Sequence, residues 1–290
     1  MMKRLEDPLV SMSDLFSSAK VHVVHSQANA ADEGAAQPLQ IEYSATKVVP
    51  GALLQLQRHP GIVKLDRSEL AESFKMLRNQ VLQRMRAEGF KVLAVTSPRR
   101  IEGKSLTAAN LALALAADYD SAVLLIDADL THHGLQTLFG LQGLRGLSDH
   151  LTDDAALAEL LINPGVPRFV FLPAGQRAVL SSAELLSTKR AQGLLAEMKA
   201  RYADRFIIVD LPPLLDTADA LAFLPLADTT LLVVEEHTTS LQDLDTTNDL
   251  LAPFNLIGTV MSRARDDADK ARAGRAPWYR RWFSRAPAAR

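Results

Sequence analysis

Residues 91–115 read KVLAVTSPRRIEGKSLTAANLALAL, and they give the strongest indication of the fold. A short apolar run ends at a polar loop, and a helix-forming run of alanine and leucine follows the loop. The loop carries the end of the phosphate-binding pattern G-x-x-x-x-G-K-[ST] as Gly103, Lys104 and Ser105, with Pro98 at the first glycine position. A Gly-Lys-Ser triplet between a strand and a helix is the context in which that pattern binds phosphate.

Beyond this loop, short apolar runs and helical stretches alternate along the chain. Several of the runs are apolar at nearly every position, as strands covered on both faces are. Strand and helix in turn indicate an α/β fold: a doubly wound, mostly parallel sheet of the P-loop NTPase type with helices on both faces. In such sheets, ligands bind beyond the carboxyl ends of the strands. The predicted strands are 91–97, 121–129, 168–175, 205–213, 229–236 and 256–263.

The loop residues are the candidate nucleotide-binding residues. Their backbone N–H groups and the positive end of the following helix favour phosphate. Lys104 is expected to reach the β- and γ-phosphates of ATP, and Ser105 to bind Mg²⁺. The predicted nucleotide-binding set is Glu102, Gly103, Lys104, Ser105 and Leu106.

Two other predicted strands end in carboxylates. VLLIDADL (123–130) carries Asp127 and Asp129, and FIIVDLPP (206–213) carries Asp210 after four apolar residues. An acid after an apolar strand is the pattern of the Walker B residue associated with Mg²⁺. Three acids at strand ends beside a Gly-Lys-Ser loop favour a metal-assisted nucleotide site, with Ser105 and Asp210 as candidate metal ligands.

Composition divides the 290 residues into three parts. Residues 1–60 are poorly patterned and are predicted to be a flexible segment and linker, residues 61–263 the folded domain, and residues 264–290 a basic, aromatic tail. The chain has no cysteine, which excludes disulfides and thiolate metal sites. No run approaches the ~20 apolar residues that a membrane helix needs, so we expect a soluble or peripheral protein.

The motifs together resemble those of the bacterial tyrosine kinases of capsule and exopolysaccharide export. TSPRRIEGKS (96–105), VLLIDADL (123–130) and FIIVDLPPLL (206–215) resemble the Walker A, A′ and B motifs of that family, and LAESFKMLRNQV (70–81) is similar to its Glu-x-x-Arg-x-x-Arg helix. The resemblance covers about residues 60–263 and is nearest in character to the tyrosine autokinases of exosortase-linked polysaccharide clusters.

The resemblance implies roles, cofactors and partners. Lys104, Asp127 and Asp129 become the candidate catalytic residues, with Asp129 as the base for a tyrosine hydroxyl. ATP and Mg²⁺ are the implied cofactors, and Asp127 joins Ser105 and Asp210 as an implied metal ligand. A helix face with Glu72, Lys75 and Arg78 implies a homo-oligomer. The implied partner is an inner-membrane polysaccharide co-polymerase that activates the kinase, at the cytoplasmic face of that membrane. The tail suits peripheral membrane contact, and no nucleic-acid partner is expected.

Four departures from the family pattern weaken parts of this assignment. Ile101 stands where the family has glycine, and it is strained by about 1–3 kcal/mol if its φ is positive and unstrained if its φ is negative. Ser262 replaces an asparagine that contacts the base in related ATPases. His132 and His133 replace an arginine-rich turn, and we interpret them as loop residues and not as metal ligands. The family's C-terminal tyrosine cluster is reduced to Tyr279.

Three functions remain open on the sequence alone. The first is an ATP-dependent protein-tyrosine autokinase that governs exopolysaccharide polymerisation or export. The second is an ATP-dependent switch like the partition ATPases, whose signature lysine corresponds to Arg99 here. The third is a catalytically silent scaffold of the same machinery, which Ile101, Ser262 and the missing tyrosines favour and the retained charged residues oppose.

Overall fold

The computed structural model describes residues 46–63, 68–118, 120–153, 155–176, 181–201 and 205–263. The strands in these ranges are β1 (Lys47–Val48), β2 (Val92–Thr96), β3 (Ala122–Asp127), β4 (Ile162–Asn163), β5 (Phe169–Leu172), β6 (Arg205–Asp210), β7 (Thr229–Glu235) and β8 (Leu256–Ser262). The helices are α1 (Pro50–Gln57), α2 (Glu69–Glu88), α3 (Lys104–Ala116), α4 (Gly134–Phe139), α5 (Leu147–Asp153), α6 (Leu157–Leu160), α7 (Ser182–Leu186), α8 (Lys189–Arg201), α9 (Asp219–Phe223) and α10 (Leu241–Leu251).

The strands form one sheet in the order β1-β4-β5-β3-β6-β2-β7-β8. Every pairing is parallel except that between β4 and β5. The six predicted strands are all present, and the predicted mostly parallel α/β sheet is confirmed. Strand β6 lies between β3 and β2, so the three strands that carry the candidate site are neighbours.

Alternate side chains of each central strand enter one of two cores. In β2, Leu93 and Val95 join the core beneath α1 to α4, whereas Val92 and Ala94 join the core beneath α5 to α10. Successive side chains of a strand point to opposite faces of the sheet. Because both faces of these strands are apolar, both must be covered, and the helices cover them. This two-layer burial holds the ends of β2, β3 and β6 in fixed positions.

The fold extends upstream of residue 61, where the sequence predicted a linker. Strand β1 pairs with β4, and helix α1 buries Ala52 and Leu56 in the first core. Pro50 lies in the first turn of α1, a position where the missing N–H of proline costs no helical hydrogen bond. The described part of the folded unit therefore begins at about residue 46. Residues 1–45 and the tail 264–290 lie outside the described residues.

Helix α2 begins at a serine cap. The hydroxyl of Ser68 accepts a hydrogen bond from the Ala71 N–H at 3.3 Å. The buried face of the helix contains Val81 and Met85, whereas Leu70 is exposed. The helix ends at Gly89, whose φ of 70° is the left-handed conformation that commonly terminates helices.

Candidate functional site

The phosphate-binding loop connects β2 to α3 at the carboxyl edge of the sheet. Gly103 caps α3 with φ 87°, and its carbonyl accepts the first helical hydrogen bond from Thr107 N–H at 2.8 Å. The N–H groups of the first helical turn have no partners within the helix, and the helix dipole is positive at this end. The loop therefore presents N–H donors and a positive potential to any anion bound there.

Ile101 occupies the left-handed region of backbone conformation. Its φ is 70°, and its side chain is 79% exposed. A β-branched residue at positive φ is strained, at a cost of about 1–3 kcal/mol. Of the two conformations that the sequence allowed, the protein adopts the strained one, and the side chain gains little packing in return.

The predicted acids converge beside this loop. Asp127 and Asp210 are register partners on the adjacent strands β3 and β6, and Asp129 lies two residues beyond Asp127. All three are buried. Asp127 accepts hydrogen bonds from the N–H groups of Asp129 at 3.3 Å and Gln136 at 3.2 Å. The structure thus places three carboxylates in one small, water-poor region.

Lys104 connects the loop to the acids. Its Nζ lies 3.1 Å from Asp129 Oδ2, 3.5 Å from Asp210 Oδ1 and 3.3 Å from the hydroxyl of Ser105. Burial alone would lower the pKa of Lys104, but the charges of Asp210 and Asp129 outweigh burial, and the net pKa is raised. Lys104 therefore remains a cation and partly neutralises the carboxylates.

The pKa values of the three carboxyl groups shift in different directions in this environment. Burial, with the charge of Asp210 added, raises the pKa of Asp127 well above its usual range. Burial also raises the pKa of Asp210, and the charge of Lys104 only partly offsets it. Burial acts on Asp129 in the same direction, but the charge and hydrogen bond of Lys104 prevail and lower the pKa of Asp129. Asp129 is thus the most stably ionised of the three.

The Asp210 carboxylate is fully buried, and its nearby donors are Lys104, whose Nζ lies 3.5 Å from Oδ1, and the Ser105 hydroxyl, with neither in good hydrogen-bond geometry. Buried carboxylate oxygens without well-formed hydrogen bonds are costly unless a cation or a bound water satisfies them. Hydroxyl and carboxylate oxygens are the ligands that Mg²⁺ prefers. No group of three or more histidine, cysteine and carboxylate residues in the described ranges is arranged to hold a metal ion alone. Mg²⁺ in nucleotide sites takes only one or two protein carboxylates and completes its shell with phosphates and waters, so these residues fit it.

Two predicted nucleotide-binding residues have side chains that turn away from the site. Glu102 is buried beneath the loop, where it accepts hydrogen bonds from Arg99 N–H at 2.8 Å and from the Thr239 hydroxyl. Leu106 packs against the first core. Any contact that Glu102 and Leu106 make with phosphate is therefore through the backbone. Burial raises the pKa of the Glu102 carboxyl, although the two hydrogen bonds oppose the shift.

The last strand braces the loop through Ser262. Its hydroxyl donates to the Glu102 carbonyl at 2.6 Å, and a Cβ at Gly103 would lie 3.3 Å from the Ser262 Cβ. In the sequence, Ser262 indicated only the loss of an asparagine that contacts the base in related ATPases, whereas the structure gives its hydroxyl a partner in the loop. The link between β8 and the loop was missed, because it depends on a contact between positions 160 residues apart.

The turn after β3 contributes two residues that the sequence did not indicate. Gly134 faces Ser105, and a Cβ added to it would lie 2.9 Å from the Ser105 hydroxyl. Gln136 is buried and donates its N–H to Asp127 Oδ2. A glycine directly after His133 was the available signal, but its role depends on the sheet bringing the turn against α3.

The two histidines of this turn have separate partners. The ring of His132 contacts Asp129 Oδ1 through Nδ1 at 3.1 Å and Arg100 through Nε2. The Nε2 of His133 lies 2.8 Å from the Leu130 carbonyl within the same turn. The histidines therefore do not share a common ligand position, and His132 belongs to the surroundings of Asp129.

Arg99, which corresponds to the signature lysine of partition ATPases, is engaged within its own chain. Its guanidinium lies 2.8 Å from Asp243 Oδ1 and 3.2 Å from Asp216 Oδ1. These hydrogen bonds, first to Asp243 and then to Asp216, raise the pKa of Arg99. A side chain tied to two carboxylates of its own subunit is not arranged to reach a neighbouring subunit, which disfavours the switch interpretation.

The remaining sequence features lie at or beyond the edge of the described fold. Glu72 and Lys75 form an exposed ion pair at 2.7 Å on α2, and Arg78 donates to the Ala114 carbonyl at 3.3 Å. All four tyrosines, Tyr43, Tyr119, Tyr202 and Tyr279, lie outside the described residues. Of the helices in the described ranges, not one has the length and apolarity needed to cross a membrane.

Comparison with known proteins agrees with this geometry. Residues 90–259 match the family described as an AAA domain. The chain is 30% identical over 210 residues to the tyrosine-protein kinase YwqD of Bacillus subtilis, covering 72% of this chain and 87% of YwqD. It is 35% identical over 178 residues to the succinoglycan biosynthesis transport protein ExoP of Rhizobium meliloti, covering 60% of this chain but only 22% of ExoP.

Among solved structures, the kinase domain of the Escherichia coli tyrosine kinase ETK is similar in fold. The two share 26% sequence identity with a TM-score of 0.63, over 69% of this chain and 78% of the ETK domain. The phosphate-binding loop, the three strand-end acids and the relatives therefore agree: this chain belongs to the bacterial tyrosine kinase family of P-loop proteins.

Proposed function

We propose that this chain is an ATP- and Mg²⁺-dependent protein-tyrosine kinase that acts on itself or on a partner in exopolysaccharide polymerisation or export. One observation carries the proposal: Lys104, Ser105 and the acids Asp127, Asp129 and Asp210 meet at one edge of the sheet, where the Asp210 carboxylate is fully buried without a well-formed hydrogen bond. A buried carboxylate of this kind is a stability cost that a role in binding a cation explains.

In the proposed reaction, the backbone N–H groups of residues 102–106 bind the ATP phosphates, and Lys104 turns from the acids to the transferred phosphoryl group. Ser105, Asp127 and Asp210 would hold Mg²⁺, which would supply positive charge where negative charge develops. The tyrosine O–H bond breaks and its proton passes to Asp129. The phenolic oxygen bonds to the γ-phosphorus as the bond to the β-phosphate oxygen breaks, and ADP leaves with that electron pair.

Two features suit Asp129 to the role of base. It is ionised, because Lys104 lowers its pKa, and it lies closer to the protein surface than Asp127 or Asp210. A general base must be within hydrogen-bond reach of the proton it removes, so position matters more than a large pKa shift. When Lys104 moves to the phosphates, Oδ2 of Asp129 is released to accept the hydroxyl proton.

A silent scaffold is the second candidate, and Ile101 is the observation that favours it. A residue with φ 70° in the loop and a tail with one tyrosine are changes that loss of catalysis would permit. A scaffold would have no use for a buried cluster of charged side chains, however, and such clusters destabilise a fold. The kinase therefore remains the proposal.

We extend the proposal to partners and location, for which the relatives' names are the support. The chain spans 22% of ExoP, whose name describes a transport protein of succinoglycan biosynthesis. We propose an inner-membrane polysaccharide co-polymerase as activator, self-association through the α2 face, and contact of the tail with the cytoplasmic face of the inner membrane. Sedimentation with anionic vesicles, compared between the full chain and W278A/W282A, tests the membrane contact.

One experiment separates the candidate functions. The purified full chain is incubated with Mg·ATP and analysed by intact mass and by anti-phosphotyrosine blot, beside K104M and the exposed control K189M. Phosphotyrosine in wild type and K189M but not in K104M supports the kinase. ADP release without phosphotyrosine supports a switch, and failure to bind nucleotide supports the scaffold. Phosphotyrosine that persists in K104M would overturn the assignment of the site.

A further inference from the structure

The two carboxylate oxygens of Asp129 have different partners. Oδ2 faces Lys104 Nζ at 3.1 Å. Oδ1 accepts a hydrogen bond from the backbone N–H of His132 at 3.1 Å, and the Nδ1 of the same residue lies 3.1 Å from the same oxygen. His132 thus binds one oxygen twice and leaves the other to the phosphate-binding loop.

Arg100 contacts the other ring nitrogen of His132. The His132 Nε2 lies against a terminal nitrogen of the Arg100 guanidinium, which can donate hydrogen bonds but cannot accept them. The tautomer that suits both neighbours accepts at Nε2 and carries its hydrogen on Nδ1, which faces Asp129. Arg100 is itself oriented by Asp216, whose Oδ2 accepts from the Arg100 backbone N–H at 3.2 Å and lies 3.6 Å from its Nε.

We infer that His132 is a positioning residue for Asp129, and that Arg100 fixes the ring so that His132 can perform this role. The ring holds Oδ1, so the carboxylate cannot rotate when Lys104 leaves, and Oδ2 is the oxygen presented to the acceptor hydroxyl. This inference rests on the proposed function, in which Asp129 removes the hydroxyl proton. It adds a link from the phosphate-binding loop, through Arg100 and His132, to the base.

The position of His132 suits this role better than a structural one. Its side chain is 38% exposed, so the ring adds little to either core. The backbone N–H of His132 keeps one hydrogen bond to Asp129 when the ring is removed, and the fold of the turn is therefore expected to survive replacement of the side chain. With one of the two donors to Oδ1 lost, the carboxylate is less firmly oriented, which lowers the rate of proton removal more than the binding of ATP.

The test measures phosphoryl transfer from Mg·ATP to a synthetic glutamate–tyrosine copolymer with the full chain. We expect H132A to lower kcat by about 10- to 100-fold, a part of the ~10²–10⁴-fold that a general base contributes, with the dissociation constant for ATP within about twofold of wild type. H132N places an amide N–H close to the position of Nδ1, and we expect it to recover most of the lost rate. The control H133N keeps a residue that tolerates the φ of 51° at this position, and its kcat should equal that of wild type.

A double-mutant cycle with D129N shows whether His132 acts through Asp129. In the D129N background, H132A should change kcat by less than about twofold, and R100A should add little to H132A. Three outcomes would each overturn the inference and leave the proposed kinase intact. H132A could lower kcat as much in the D129N background as in wild type, or H132N could lose as much kcat as H132A. In the third outcome, H132A would lose ATP affinity in parallel with kcat. A wild-type chain that binds ATP but transfers no phosphate would overturn the proposed function, and the inference with it.

Discussion

The hydroxyl of Ser262 at the end of β8 donates a hydrogen bond to the carbonyl of Glu102 in the phosphate-binding loop, over 2.6 Å. The last strand of the sheet thereby restrains a loop that follows β2, two strands away in the sheet. Thr239, which follows β7, adds a second restraint by donating to the Glu102 carboxylate. Glu102 is held at both its backbone and its side chain, so the loop is braced before any ligand binds.

Removing the Ser262 hydroxyl should loosen this loop. We expect S262A to lower the free energy of unfolding by about 0.5–1.5 kcal/mol, the usual net value of such a hydrogen bond, and to weaken ATP binding. Urea denaturation and nucleotide titration measure the two effects. S73A is the matched control, because Ser73 is an exposed helical serine whose hydroxyl donates to the Glu69 carbonyl. Equal effects of the two substitutions would contradict the proposed restraint.

Replacing Ile101 by glycine should stabilise the protein. The substitution relieves strain of about 1–3 kcal/mol at φ 70°, and the exposed isoleucine side chain contributes little packing that would be lost. The greater conformational freedom of glycine in the unfolded chain costs about 1 kcal/mol of stability and offsets part of this gain. We therefore expect a net gain of up to ~2 kcal/mol for I101G in chemical denaturation. I101V keeps the β-branch at the same φ and should match wild type. A glycine variant less stable than I101V would show that the side chain makes a useful contact.

The buried carboxyl of Glu102 should make stability depend on pH. Its folded-state pKa is raised by burial above the ordinary value of about 4.3, so between these two values the folded chain retains a proton that the unfolded chain has released. Stability therefore falls as pH rises through that window. The free energy of unfolding of wild type minus that of E102Q should be largest below pH ~4 and decrease toward neutral pH.

A second substitution tests the cause of the Glu102 effect. The Thr239 hydroxyl donates to the Glu102 carboxylate and opposes the rise of its pKa. T239V removes that hydroxyl, so the decline of stability with pH should extend to higher pH than in wild type. Denaturation curves from pH 4 to 8 for wild type, E102Q and T239V make the comparison. Parallel pH dependence in wild type and E102Q would rule out Glu102 as its source.

Adding a methyl group at Gly134 should displace Ser105. The added Cβ would lie 2.9 Å from the Ser105 hydroxyl, which can rotate away only by leaving the position proposed for metal binding. We expect G134A to weaken Mg·ATP binding by about tenfold, which is roughly the free energy of one hydrogen bond to the ligand, with little loss of stability. G193A is the control, because a Cβ there meets nothing within 4 Å and alanine favours helix α8. Unchanged Mg·ATP affinity in G134A would separate Ser105 from the metal.

The sequence was sufficient for the central fold because its signals are local. The apolar runs that became β2, β3 and β6 are each buried on both faces, and the Gly-Lys-Ser triplet identifies the strand-to-helix junction without reference to any distant residue. The parallel arrangement then places Asp127 and Asp210 at one edge. Their position beside Lys104 was therefore predictable before any contact was known.

Other features of the structure could not be predicted, because they depend on contacts between residues that are far apart in the sequence. Strands β1 and β4 have two residues each, too few for an alternating pattern to be recognised, and both form because they pair with a sheet edge. The φ of Ile101 follows from the loop geometry and not from the residue type. The partners of Ser262, Gly134 and His132 depend on the ends of different strands meeting at the site.

In the proposed site, Lys104 and a divalent cation would compete for the same acids. In the structure the lysine lies between Asp129 and Asp210 and partly balances their charge. If it leaves to contact phosphate, that charge must be balanced by another cation, and if a cation arrives first, the lysine is displaced toward the phosphates. ATP and Mg²⁺ should therefore each raise the affinity for the other, a reciprocal coupling that comes from a single side chain with two alternative positions.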